Sequence, residues 1–374
     1  MPIGYQIFMG GSPADNSFYD KVSYVEVEEH ADEPGTIRLD IAVARADDGE
    51  ITLIGDPGFV PLANLALVVT PDGQADECIF DGYVLSQNIH METGMTASHV
   101  EISGQDATWL MQTEEKTREW ASVTEGTVAN TIFGEYGFTP GDGNTDDDSS
   151  AHSDDTHTLM QRATDMDFLR NLARRSGKLF RVSCADQPGV RTGVFAKADV
   201  TTDPVATISL NDLTAPNVKA LDIEWDVTRP SAVKTRQTLF SDTTTEGVAG
   251  DSTDSGLTPL GDLDLASFAG QPVTVMLTTP VDDAGDLKQR ADALLCDAGW
   301  FVKCTGEVEL SALKTVLRAG QVVQLDTIGS VHSGKYLVWS VKHHIDTKAH
   351  KMSFTLMRNA VGSPAAASGL PGGL

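Results

Sequence analysis

Residues able to do chemistry are plentiful in this chain, but few stand at the spacings that chemistry requires. Asp146, Asp147 and Asp148 offer the oxygen ligands that calcium prefers. They are consecutive, without the alternating spacing and closing glutamate of a calcium loop, so they read as part of a solvated loop. Glu26, Glu28 and Asp40 have the residue type of a glycosidase carboxylate pair. In a chain this acidic, their nearness carries almost no information. His343 and His344 are adjacent, so on a strand they point to opposite faces and cannot share a metal; a structural role at a subunit contact is the expectation. Cys78, Cys184, Cys296 and Cys304 form no C-x-x-C pair, and no His lies at zinc-ligand spacing from two of them. Buried free thiols are expected, and a Cys296–Cys304 disulfide is not indicated. No nucleophile elbow, phosphate loop, dinucleotide fingerprint or H-E-x-x-H is present. The chain is therefore read as no enzyme, with no catalytic residue, cofactor or metal.

Composition narrows the partners. The 374 residues carry 27 Lys+Arg against 54 Asp+Glu, a net charge of -27 and a pI near 4.5. Such a surface repels DNA, RNA and anionic lipid, which argues against direct nucleic-acid binding. No stretch approaches the roughly 20 apolar residues of a membrane span, so no membrane insertion is expected. The opening MPIGYQIFMGG has no Lys or Arg and no extended apolar core, unlike a secretory signal; synthesis and folding in the cytoplasm are expected. The acid is spread along the whole chain, with Asp ahead of Glu and little Lys, a pattern that suits concentrated salt.

The elements that must position these residues are mostly strands. Residues 1–105 read as a first β-barrel module, in which Ile37, Leu39, Ile41 and Val43 alternate as a half-buried strand. Pro71-Asp72-Gly73 supplies a turn between the Leu65–Thr70 strand and the one starting at Cys78. Residues 106–185 read as an α/β segment with an acidic loop at 141–158. Ser122 is the expected N-cap of its first helix, with Glu125 at N3. Thr164 is the expected cap of the second, whose buried stripe is Phe168, Leu169, Leu172 and Ala173 and whose end is marked by Gly177. Residues 186–360 read as a second β-barrel module with a helix near 283–298, and 361–374 as a flexible tail. The fold class is mainly β with α+β elements, two barrel modules linked by an α/β segment, and the length suits separate cores.

Four local patterns then resemble one family. They are Phe80-Asp81-Gly82-Tyr83-Val84; Val100-Glu101-Ile102-Ser103-Gly104-Gln105-Asp106; the helix from Thr164-Asp165 through Phe168-Leu169, Leu172-Ala173 and Gly177; and Leu317-Arg318-Ala319-Gly320 leading to Gly334-Lys335-Tyr336 and Val341-Lys342-His343. In this order across residues 80–346 they resemble the late control protein D and VgrG-like baseplate hubs of contractile tails and injection systems. The resemblance implies a homotrimer whose two barrels per chain make a pseudo-sixfold ring, adapting a hexameric tail tube to a trimeric spike. It implies as partners the chain itself, a separate spike protein, a tube or tube-initiator protein and other baseplate subunits. The mature location would be a virion tail or an extracellular or cytoplasmic injection particle. Rival readings are a tail-associated cell-wall hydrolase and a carbohydrate-binding tail-tip protein; only five Trp and no evident aromatic platform speak against the second.

The tail carries no charged side chain and contains Leu370, Pro371 and Leu374. These three are the residues expected to bind the spike, with about 1.5–3 kcal/mol gained for each fully buried Leu.

The charge pattern makes stability depend on salt. The screening length shrinks to roughly 3 Å at 1 M salt, so the melting temperature should rise from low salt to molar potassium chloride. A flat or falling melting temperature across that series would rule out high-salt adaptation.

Overall fold

The computed structural model describes residues 4–362 apart from 46–48, 53–57, 95–96, 150, 153–157, 185, 211–215, 238–249 and 280–283, with only the backbone of 141–144. The chain is mainly β. A 13-stranded sheet runs in the order Val218–Trp225, Val302–Glu309, His350–Arg358, Gly334–Asp346, Val22–His30, Thr36–Ala42, His99–Asp106, Glu77–His90, Asn64–Val69, Tyr5–Met9 and Ser12–Pro13. Val322–Asp326 pairs beside Gly334–Asp346 and carries Thr207–Ser209 in parallel.

Alternation decides which faces are buried. In Thr36–Ala42 the side chains of Ile37, Leu39 and Ile41 go inward while Thr36, Arg38 and Ala42 are exposed. Antiparallel neighbours continue this layer, since Leu39 faces Val25 on one side and Ile102 on the other.

The two β-sets are not separate bodies. Val22–His30 pairs antiparallel with Gly334–Asp346 from Tyr24↔Asp346 to His30↔Ser340. One apolar cluster accordingly holds Val25, Leu39 and Ile102 together with Val323, Val341 and Phe354. The shared ladder leaves no solvent layer between the two β-sets, so their apolar faces merge into one core. The α/β segment does keep its own cluster around Ile132, Phe133, Leu169, Leu172 and Phe180.

Gly82 and Gly104 mark where backbones cross closely. A Cβ on Gly82 would overlap the Gln105 carbonyl, and one on Gly104 would lie 2.5 Å from the Tyr83 carbonyl oxygen. Any side chain at either place would push the two strands apart.

Two local expectations change. The first helix is Glu125–Glu135, capped by Thr124, whose side chain accepts from the Thr127 amide. Ser122 does not cap it, because that residue turns the chain in the left-handed region at φ 56. The expected acidic loop begins inside a strand, Thr139–Thr145, which pairs in parallel with Arg191–Ala196. That pairing gives the segment strand partners, which is why a stretch with Pro140 as its one apolar side chain is regular. The later helix spans Ala284–Gly299, with Leu287, Ala291 and Leu295 buried. By contrast, Thr164 caps Asp165–Arg175 and Gly177 adopts φ 69, as the sequence pattern predicts.

The four cysteines are free thiols, three of them buried and Cys184 half-buried. Buried Arg358 binds carbonyls instead of a carboxylate. Its guanidinium donates to the carbonyls of Val331, His332, Ser333, Leu260 and Gly362 at 2.6–3.3 Å. Five dipoles oriented by turns thus replace the solvation of one buried charge.

His343 is also placed differently from the expectation of a subunit contact. It is fully buried, with Nδ1 3.0 Å from Nε2 of buried His350. His344, on the other face, is half-buried beside Glu26. Burial pushes the pKa of both His343 and His350 down to about 3 from the ordinary 6.5. The unfolded chain takes up protons near pH 6.5 while the folded pair resists until about pH 3, so this stability is present above 6.5 and is lost as pH falls through that window. The melting temperature should therefore drop between pH 6.5 and pH 4. The double variant His343→Phe, His350→Leu should show a shallower drop; an unchanged slope would show that the pair does not titrate this way.

Candidate functional site

A polar cavity of about 220 Å³ lies where the first strands, the α/β segment and the later strands meet. Glu29 comes from Val22–His30, Asp81 from Glu77–His90, Arg181 and Cys184 from Leu179–Cys184, and Arg318 from the turn before Val322–Asp326. Polar strand ends face inward here, where Glu29 pairs with Arg318 and Asp81 with Arg191.

The centre is a forked ion pair. Arg318 donates through Nε and Nη2 to Glu29 Oε1 at 2.8 and 2.6 Å, and through Nε to Oε2 at 2.9 Å. The Ala319 amide also donates to Glu29 Oε2, at 3.3 Å. Burial alone pulls the Arg318 pKa down, but the Glu29 charge outweighs it and the net direction is upward. Glu77 approaches Arg318 at 3.9 Å; burial raises its own pKa.

Arg181 is held differently. Its Nη1 donates to the Ala31 carbonyl at 3.4 Å, and its guanidinium fills the space a side chain on Gly320 would need. Gly320 itself sits at φ 85, so glycine there meets both demands. Burial lowers the Arg181 pKa.

Two carboxylates flank the pair. Asp81 accepts from Arg191 Nη2 at 2.9 Å, Asn64 Nδ2 at 2.9 Å and the Gly189 amide at 2.7 Å. Burial opposes its ionisation, yet the Arg191 pairing and these donors bring its pKa below the ordinary value. Asp106 accepts from the Gly35 amide at 2.5 Å, the Thr108 amide at 2.9 Å and the Thr108 hydroxyl. Here burial dominates and raises its pKa to about 6.

The arrangement is a set of ion pairs and charge–carbonyl contacts that clamps backbone segments. Among the described residues, no cluster of three or more His, Cys, Asp or Glu is placed to hold a metal ion.

Other residues singled out in the sequence are dispersed. Asp148 pairs with Lys178 at 2.6 Å and Lys197 at 2.7 Å, and Asp146 accepts from the Lys197 amide. Glu26 pairs with Lys342 and His344, Glu28 with His30, and Asp40 with His99. Leu370, Pro371 and Leu374 lie outside the described residues. The Glu29–Arg318 pair escapes a sequence reading because its members are 289 residues apart. Asp81, Asp106 and Arg318 each lie inside one of the four sequence patterns, which point to the place but not to the pair.

Removing one partner strands the other charge. Glu29→Gln should destabilise the fold by about 2–4 kcal/mol, the lower part of the range because each side chain keeps 15% exposure. The double variant Glu29→Leu, Arg318→Met should cost less than Glu29→Gln alone. Urea denaturation of the three proteins checks this, and a double variant worse than the single would overturn the account.

No curated protein matches the chain. Solved structures match along more than nine-tenths of its length. A 43 kDa tail protein of prophage MuSo2 from Shewanella oneidensis is 14% identical, covers 96% of this chain and 99% of its own, and superposes with a TM-score of 0.65. A tail protein from Neisseria meningitidis MC58 is 14% identical, with 96% and 98% covered and the same TM-score of 0.65. An Escherichia coli component of the type VI secretion system, described as similar to T4 phage tail proteins gp27 and gp5, is 12% identical, with 92% and 76% covered and a TM-score of 0.54. At these identities the likeness is one of fold. A family model described as the Alg8 N-terminal domain matches residues 2–347, and the chain belongs to that family.

Proposed function

We propose that this chain is a structural hub at the baseplate of a contractile phage tail or a phage-tail-like injection system. The observation that carries the reading is the end-to-end fold match to two tail proteins, which leaves almost none of either chain unmatched. The four sequence patterns resembling late control protein D and VgrG-like hubs support the narrower assignment. So does the polar cavity, whose ion pairs suit holding parts in place better than turning over a substrate; we read the protein as non-enzymatic.

On this reading three copies assemble around one axis. Each contributes two β-sets, and the ladder between Val22–His30 and Gly334–Asp346 fixes their relative orientation. Six similar units from three chains would meet a sixfold tube above and a threefold spike below. The partners are then the chain itself, a tube or tube-initiator protein, a separate spike and other baseplate subunits. No helix among the described residues is long and apolar enough to cross a membrane. The site of action is a virion tail or an injection particle.

Assembly must overcome charge. Three chains of -27 carry about -81 in all (three times -27), so trimers should form in molar salt and weaken as salt is withdrawn. Light scattering across a salt series, with a reconstruction of the assembled particle, checks this. A stable dimer in the particle would refute the proposal.

A further inference from the structure

Beside the cavity, two cysteines that the sequence keeps 106 residues apart share one small cluster. Cys78 lies at the start of Glu77–His90 and Cys184 at the end of Leu179–Cys184. The Cys184 Sγ donates to the Cys78 carbonyl oxygen at 2.5 Å, and both residues belong to one small cluster with Ala66, Val68 and Phe8. Cys78 is fully buried, while Cys184 is half-buried and lines the cavity. Arg318 Nη2 stands 3.6 Å from the Cys184 sulfur. The other two thiols have no such setting: Cys304 is buried in the main apolar cluster, and Cys296 contacts the Gly177 carbonyl at 3.5 Å.

We infer that Cys78 and Cys184 form a modification site, a dithiol that closes to a disulfide on meeting a low-molecular-weight disulfide and so ties the first β-set to the α/β segment. This inference does not rest on the hub reading and can fail without it. In the first step the Cys184 thiolate attacks the small disulfide, forming a mixed disulfide and expelling one small thiolate. In the second the Cys78 thiolate attacks the Cys184 sulfur, expelling the other. Two protein thiols are oxidised, one small disulfide is reduced to two thiols, and the two protein protons end on those thiols. The guanidinium of Arg318 places positive charge beside the sulfur on which negative charge develops.

The order of steps follows from exposure. Cys184 is the thiol a reagent reaches, and Cys78 is the resolving one. A hydrogen bond with Cys184, together with burial, pushes the Cys78 thiol's pKa upward. The second step is therefore slow near neutral pH and quickens as pH rises.

Native full-length protein incubated with oxidised glutathione, then denatured, alkylated and digested without reductant, tests this. The expected result is one disulfide-linked peptide pair containing Cys78 and Cys184, with Cys296 and Cys304 still alkylated. Its formation should be faster at pH 9 than at pH 7. Cys184→Ser should abolish the linked pair, and Cys78→Ser should stop the reaction at a glutathione adduct on Cys184. The wild-type peptide map decides the question even if a variant fails to fold. Four alkylated thiols, a wild-type reaction halted at the Cys184 adduct, or a linkage through Cys296 or Cys304 would each overturn the inference.

Discussion

The Val22–His30 and Gly334–Asp346 strands meet across 318 residues at the Glu26–His344 contact, and the rest of the architecture depends on that ladder. It joins two sets of strands into one sheet, so their inner faces share a core and their ends converge on one polar cavity. Sheet backbone groups left unpaired there would each have to find water or another partner. Because the pairing is so distant in sequence, its loop-closure entropy must be met before its hydrogen bonds form, which favours slow folding with the local hairpins first.

Charge is handled differently inside and outside. The few basic residues are placed where they matter: Arg318 on Glu29, Arg191 on Asp81, Lys178 on Asp148. Arg358 instead uses carbonyls, which keeps a buried cation without needing a carboxylate inside the core. Many of the other described carboxylates lie at the surface, where salt screens them. Stability in low salt and specificity of the interior are thus separate problems with separate solutions.

The cavity at the junction suits a part that must keep its shape under load. Its ion pairs link strands from distant stretches of chain, and directional pairs resist sliding better than apolar contact alone. The fold shared with tail proteins at 14% identity shows how little sequence identity such an architecture requires.

Local patterns in the sequence were enough for the parts whose physics is local. Alternation in Thr36–Ala42 gave its buried face, and the cap at Thr164 and glycine at Gly177 bounded a helix, because each depends on neighbours a few residues away. Ser122 misled because Thr124, two residues on, offers the same hydroxyl with a compatible backbone, and propensity does not separate them. The strand at Thr139–Thr145 was hidden because its order comes from pairing with Arg191–Ala196, not from its own side chains. The merged core, the buried His343–His350 pair, the Glu29–Arg318 fork and the meeting of Cys78 with Cys184 were decided only by tertiary structure. Each joins residues whose side chains are ordinary alone and acquire their chemistry from desolvation and from a partner that the chain path brings near.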